Sequence, residues 1–194
     1  MTRPIRIAIL FSGGGSNMKA LAAHIAQPHI AAELVLTISN RPDAGGIRYC
    51  RDEQIPCQII DHKAYESRAD FDAALDAALE DAEIDLICAA GFMRLLTPEF
   101  VTKWENKILN IHPALLPKFK GLNTHARAIE AGETEHGCSV HYMRPEMDEG
   151  PILVQKSVSV LPDDTPETLA ARVLEQEHIA YPEALDMALA KLST

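Results

Sequence analysis

Residues 5–39 read IRIAILF, SGGGSN, MKALAAHIAQ, PHIA and AELVLTIS in succession: an apolar run, a glycine turn, a helix-like segment and a second apolar run. That succession is a βαβ unit, the building block of a parallel sheet. The pattern repeats. AGGIRYCRDEQ (44–54) has helical spacing, CQIID (57–61) is a short strand, the alanine-rich RADFDAALDAALEDA (68–82) is a helix, and IDLICAAG (84–91) is a buried strand. Strands one to four therefore share one parallel sheet. TPEFVTKWEN (97–106) opens a further helix, with Thr97 as its cap and Pro98 in the first helical position, and ILNIHP (108–113) is a fifth strand.

The chain then changes character. GCSVHYM (137–143) and ILVQKSVSV (152–160) are β-like runs separated by RPEMDEGP (144–151), whose Pro, Gly and acidic content makes it a loop. TPETLAARVLEQEH (165–178) and YPEALDMALAKL (181–192) are helical, with Pro182 expected to interrupt or kink the segment. No repeat, linker or low-complexity tract divides the 194 residues, so one α/β domain over 1–194 is expected. Its sheet is mostly parallel and flanked by helices, with a late antiparallel strand pair.

Charge and cysteine usage narrow the function. Eighteen Lys and Arg face 28 Asp and Glu, a net charge of −10, which disfavours long nucleic acid as a partner. The opening MTRPIRIAILF has a short apolar stretch broken by Arg6 and no signal-peptide cleavage site, and no later run approaches membrane-spanning length. Cys50, Cys57, Cys88 and Cys138 form no Cys-x-x-Cys pair, which suits free thiols in the cytoplasm.

Ligand sites of open parallel sheets lie outside the carboxyl ends of the strands. Three segments fall there. In Ser12–Asn17, successive glycines let backbone N–H groups approach a phosphate in front of a helix N-terminus. It is neither a dinucleotide fingerprint nor a P-loop, because Met18 stands three after Gly15 and no Gly-Lys-Ser/Thr follows. In ILNIHPALLPKFKG (108–121), Asn110 and His112 are two apart and project from one face of a strand. An amide donor beside a protonated imidazole can stabilise an oxyanion and supply a proton to a leaving nitrogen. Asp148, in the acidic loop, is by itself a turn residue. Folded over His112, its carboxylate would favour imidazolium and raise the histidine's pKa.

The combination of FSGGGSN, AGFMRLL, ILNIHPALLPKFKG, EHGCSVHYM, MDEGP and EQEHIAYP resembles the glycinamide ribonucleotide transformylases, from the first strand to the last helix. The resemblance implies a Rossmann-like formyltransferase fold, with residues to about 105 holding the substrate phosphate and about 106–194 the catalytic and folate-binding half. It implies transfer of a formyl group from 10-formyltetrahydrofolate to phosphoribosyl-glycinamide in purine biosynthesis, without metal. Asn110, His112 and Asp148 match the family's catalytic trio. Gly15, Ser16, Asn17, Met18 and Lys19 match its phosphoribosyl turn, and Glu177 the acid at the glycinamide end. Arg68, Met93, Arg94, Leu95 and Leu96 match its folate contacts together with Asn110. The loop Arg144, Pro145, Glu146, Met147 and Asp148 matches the segment that closes over the pterin. Two positions depart: Gly14, where Asn is common, and Asn123, where some relatives have His.

Without the resemblance, Arg68 reads as a surface partner of Asp70 or Asp72, and Glu177 as a solvated helical acid. His125, His136, Cys138 and His141 invite a metal, but the spacing lacks a convincing fourth ligand. Cys138 has no partner base within its motif and is not a nucleophile. A tRNA-formylating relative is expected to carry a further domain and a basic surface, and a formylfolate hydrolase a domain before the glycine turn. A non-catalytic nucleotide-binding module would leave the trio without a purpose. The partners expected are small molecules, and a homodimer stays open.

Overall fold

Strand β1 (Ile5–Phe11) is apolar at six of its seven positions because both its faces are covered. Ile7, Ile9 and Phe11 point into one core, shared with Met18, Leu21 and Leu185, while Ala8 and Leu10 point into another, shared with Phe71, Leu75 and Leu79. In the computed structural model, which describes residues 3–192, β1, β2 (Ala32–Ser39), β3 (Cys57–Ile59), β4 (Leu86–Ala89) and β5 (Ile108–His112) are parallel. Strands β6 (Glu135–Tyr142) and β7 (Ile152–Ser159) extend the sheet antiparallel from β5, giving the order β3-β2-β1-β4-β5-β6-β7. The chain reverses its direction of growth between β1 and β4, so their carboxyl ends form the switch point at which such sheets bind ligands.

Helices α1 (Ser16–Ile25), α2 (Gly46–Asp52), α3 (Arg68–Asp81), α4 (Pro98–Lys103) and α6 (Pro166–Leu192) follow the expected order. Thr97 accepts from the Phe100 amide, and Ser67 caps α3 by accepting from Asp70 N–H. Two features differ from expectation. A short helix, α5 (Thr124–Glu130), stands where none is expected. The C-terminal helix also runs for 27 residues through Pro182, which does not interrupt it. Proline inside a helix costs roughly 3 kcal/mol. Here Leu169, Val173, Ala180, Tyr181, Ala184, Leu185 and Ala188 are buried on both sides of it, at ~1.5–3 kcal/mol for each large side chain. Tyr181 anchors the same stretch: its hydroxyl is shared between the carbonyls of Ala89 and Leu109, each at 3.1 Å, where β4 and β5 run side by side.

Candidate active site

The glycine turn and the segment after β4 are tied together at the switch point. Ser12 N–H donates to the Gly91 carbonyl (3.1 Å), the Met93 amide donates to Ser12 Oγ (2.7 Å), and Ser12 Oγ donates to Asn40 Oδ1 (2.6 Å). Gly15 closes the turn at φ 71°, left-handed backbone that glycine enters without strain, and no side chain caps the start of α1. The first-turn amides Ser16, Asn17 and Met18 thus lie at an uncapped positive helix end. Met18 itself is a core side chain, so only its backbone is available to a ligand. Lys19 is exposed, with its ammonium 5.2 Å from the Tyr49 ring centroid.

Glu177 is not a solvated acid. It is buried on α6 and accepts from Asn17 Nδ2 at 2.6 Å, and burial raises its pKa, opposed by that hydrogen bond. One residue of the glycine turn and one of the last helix therefore form a single buried polar pair.

Asn110 and His112 share a face of β5, opposite His141 and Ser139 of β6. His112 has an acceptor beside each ring nitrogen. Nε2 donates to the Phe119 carbonyl at 2.9 Å, and Nδ1 lies 3.5 Å from Asp148 Oδ2. Asp148 is brought back over the strand end by left-handed backbone (φ 55°), and its Oδ2 accepts from the Gly121 amide at 2.9 Å. A histidine ring beside a carboxylate, both nearly buried, forms a polar pair sheltered from bulk water.

His141 belongs to this cluster, which the sequence did not reveal. Its Nδ1–H donates to the Tyr142 carbonyl (3.0 Å), and its Nε2 accepts from the Asn110 amide (3.2 Å). Burial lowers its pKa, consistent with a neutral ring that orients Asn110. The only signal was the antiparallel register of β5 and β6, and side-chain alternation does not specify register. His136 and Cys138 lie on the opposite face of β6 from His141, so the three do not converge. Burial pushes the Cys138 thiol up to about 12, so it carries no useful thiolate.

Around the cluster, Met93 (71% exposed), Leu95 (52%) and Met147 (49%) present apolar surface, whereas Leu96 is core. Arg94 lies over the Phe71 ring at 5.4 Å with a buried Nε that lacks a partner among the described residues. Arg68 is exposed at the start of α3 and pairs with neither nearby acid: Asp70 accepts from Ser67 Oγ, and Asp72 from the Thr97 amide. Pro145 and Glu146 are exposed in the 144–148 segment. Arg144 donates to Asn106 Oδ1 (2.7 Å) and approaches Glu105 (3.6 Å), both in the segment before β5.

A formyl transferase family model matches residues 5–185. This chain belongs to the formyl transferase family. Among other members, the phosphoribosylglycinamide formyltransferase of Haemophilus influenzae is 42% identical over 177 residues, covering 91% of this chain and 84% of that protein. The trifunctional purine biosynthetic protein adenosine-3 of Gallus gallus is 48% identical over 186 residues, and the match spans 96% of this chain but 18% of that longer protein. The solved phosphoribosylglycinamide formyltransferase of Brucella melitensis superposes with a TM-score of 0.91 at 46% identity, covering 96% of each chain. Glycinamide ribonucleotide transformylase 1 of Symbiobacterium toebii reaches a TM-score of 0.94 at 41% identity, over 98% of this chain and 90% of that one. This formyl transferase fold thus has the parallel sheet, flanking helices and late antiparallel pair expected from the sequence.

Proposed function

We propose that the chain transfers the formyl group of 10-formyltetrahydrofolate to the amine of 5-phosphoribosyl-glycinamide, a step of purine (IMP) biosynthesis. The observation that carries this reading is His112 held between two acceptors at a strand end, with Asn110 on the same face. The amine attacks the formyl carbon, a new C–N bond forms and the carbonyl oxygen becomes an oxyanion. Asn110 Nδ2–H and the His112 imidazolium are the donors to that oxygen. Collapse breaks the bond to the folate nitrogen, which takes a proton from His112. The proton lost by the amine leaves through water and restores the ring. Asp148 Oδ2, 3.5 Å from Nδ1, orients the ring for this transfer.

The binding groups follow the same division. The amides of Gly15, Ser16 and Asn17 take the phosphate end of the amine substrate, with Lys19 at its margin and Glu177 near the glycinamide. The exposed apolar surface of Met93, Leu95 and Met147 fits a flat pterin, flanked by Arg94 and the 144–148 segment, while Arg68 is free to meet the folate's carboxylate tail. Both substrates are small and soluble, which suits a cytoplasmic enzyme. Purified protein should consume the formyl donor only when the amine substrate is present, and His112→Asn should abolish that consumption. Donor loss independent of the amine would instead identify a hydrolase.

A further inference from the structure

Residues 119–123 hold three left-handed residues in alternation: Phe119 at φ 55°, Gly121 at φ 78° and Asn123 at φ 56°. Glycine and asparagine enter that region readily, whereas a bulky aromatic residue does so rarely. Such backbone persists where its surroundings over-determine it. The surroundings of Phe119 do so. Its ring meets the His136 ring edge-on (centroids 6.0 Å apart, planes at 72°), and the Arg127 guanidinium lies 5.5 Å from its centroid. Arg127 Nη1 also donates to the carbonyls of Lys120 (2.7 Å) and Leu122 (3.3 Å).

The turn has a chemical consequence. It aims two backbone groups at the two members of one ion pair: the Phe119 carbonyl accepts from His112 Nε2, and the Gly121 amide donates to Asp148 Oδ2. Rotating the Phe119 peptide out of the left-handed region would withdraw the first. His112 would then lose that hydrogen bond, keep only the 3.5 Å approach to Asp148, and be free to turn.

We propose that Arg127 is a positioning residue that clasps residues 119–122, so that the Phe119 carbonyl and the Gly121 amide hold His112 and Asp148 in their reactive arrangement. This rests on the reading of His112 as the proton donor. Among the described residues, Arg127 makes no hydrogen bond or ion pair with either member of the pair. Its fit depends on a planar cation that stacks on one ring while its N–H groups reach two carbonyls, a combination that lysine does not reproduce.

The test compares Arg127→Met, Arg127→Lys and His112→Asn with the parent enzyme, using glycinamide ribonucleotide and 10-formyltetrahydrofolate across neutral and alkaline pH. Arg127→Met should lower kcat by roughly tenfold while leaving both KM values within about threefold, the signature of a lost transition-state interaction. The pH profile of kcat should also change relative to the parent, because the ring loses the acceptor that fixes it. Arg127→Lys should recover little. The His112 ring signals in NMR spectra should move in Arg127→Met with Tm nearly unchanged. Unchanged kcat and pH profile in Arg127→Met, alongside an inactive His112→Asn, would overturn the positioning role and leave the function intact. Full recovery by lysine, or a parallel loss of Tm and both KM values, would also overturn it. An active His112→Asn would sink the functional reading itself.

Discussion

Asn17 and Glu177 are 160 positions apart in the chain and meet through a 2.6 Å hydrogen bond from Nδ2 to Oε2. The bond joins the first turn of α1 to the middle of α6, and it sets a buried carboxylate where an amine substrate is expected.

Burial raises the Glu177 pKa above its ordinary 4.5, so the native state holds this proton more tightly than the unfolded chain does. The associated stability is complete below pH 4.5 and is lost as pH rises through the folded-state value. Glu177→Gln keeps an oxygen for Asn17 and removes the buried charge. It should raise stability at pH 8 by ~1 kcal/mol, with less gain at low pH, while raising KM for the amine substrate. Urea midpoints at several pH values, paired with kinetics, check both parts. A variant that is less stable at pH 8 would contradict this account of the carboxylate.

The glycine turn separates strain from ligand contact. A Cβ on Gly15 would lie 2.7 Å from Met18 Cε and 3.2 Å from Gly46 Cα, on backbone at φ 71°. Gly15→Ala should therefore cost about 1–2 kcal/mol and weaken the phosphoribosyl substrate more than the folate. A Cβ on Gly14 meets nothing within 4 Å. Gly14→Asn should leave stability within ~0.5 kcal/mol. The added amide should lower KM for the phosphoribosyl substrate about threefold. Equal changes for both substrates would assign the turn a purely structural role.

Asp148→Asn is a clean charge deletion. Asparagine tolerates the left-handed backbone at 148 and can still accept from the Gly121 amide, so the loop should keep its course. With the carboxylate gone, turnover should drop by roughly 10² to 10⁴ while substrate affinities change far less. The rate–pH profile should change with it. A rate–pH profile that scales down without moving would leave Asp148 with a role in ordering water or the loop.

His136 has the opposite sign to Glu177. Burial, reinforced by nearby His125, lowers its pKa from 6.5 to about 4. Below pH 6.5 the unfolded chain takes up a proton that the native ring refuses, so stability falls as pH drops from 6.5 towards 4. His125, His141 and His178 are also lowered by burial and add to the same trend. His136→Phe should flatten the acid side of the stability curve, read from thermal midpoints between pH 7 and about 4. An unchanged slope would rule out His136 as a contributor.

The parallel strands and their helices were legible because each apolar run alternates between two cores, a pattern written locally in residues such as Ile7 to Phe11. Helix α5 was not, because its seven residues are too few for a periodic stripe and Asn123 offers no side-chain cap. The continuity of α6 through Pro182 was hidden for another reason: local propensity argued for a break, and distant packing around Tyr181 overrode it. In the site, Asn110 and His112 follow from strand alternation alone. The partners that complete them do not, because His141 arrives by cross-strand register, and Phe119, Gly121 and Asp148 by left-handed turns.

The shared hydrogen bond of Tyr181 has a consequence for how two substrates meet. One helical turn separates Tyr181 from Glu177, and the carbonyl of Leu109 immediately precedes Asn110. The phenol thus works as a dowel: it locks the helix that carries the buried acid to the strand that carries the amide and imidazole. The gap between those groups is a fixed dimension of the scaffold, whatever the surface loops do. If the proposed reaction holds, the spacing at which an amine and a formyl carbon are presented to each other is set by the core rather than by the surface loops.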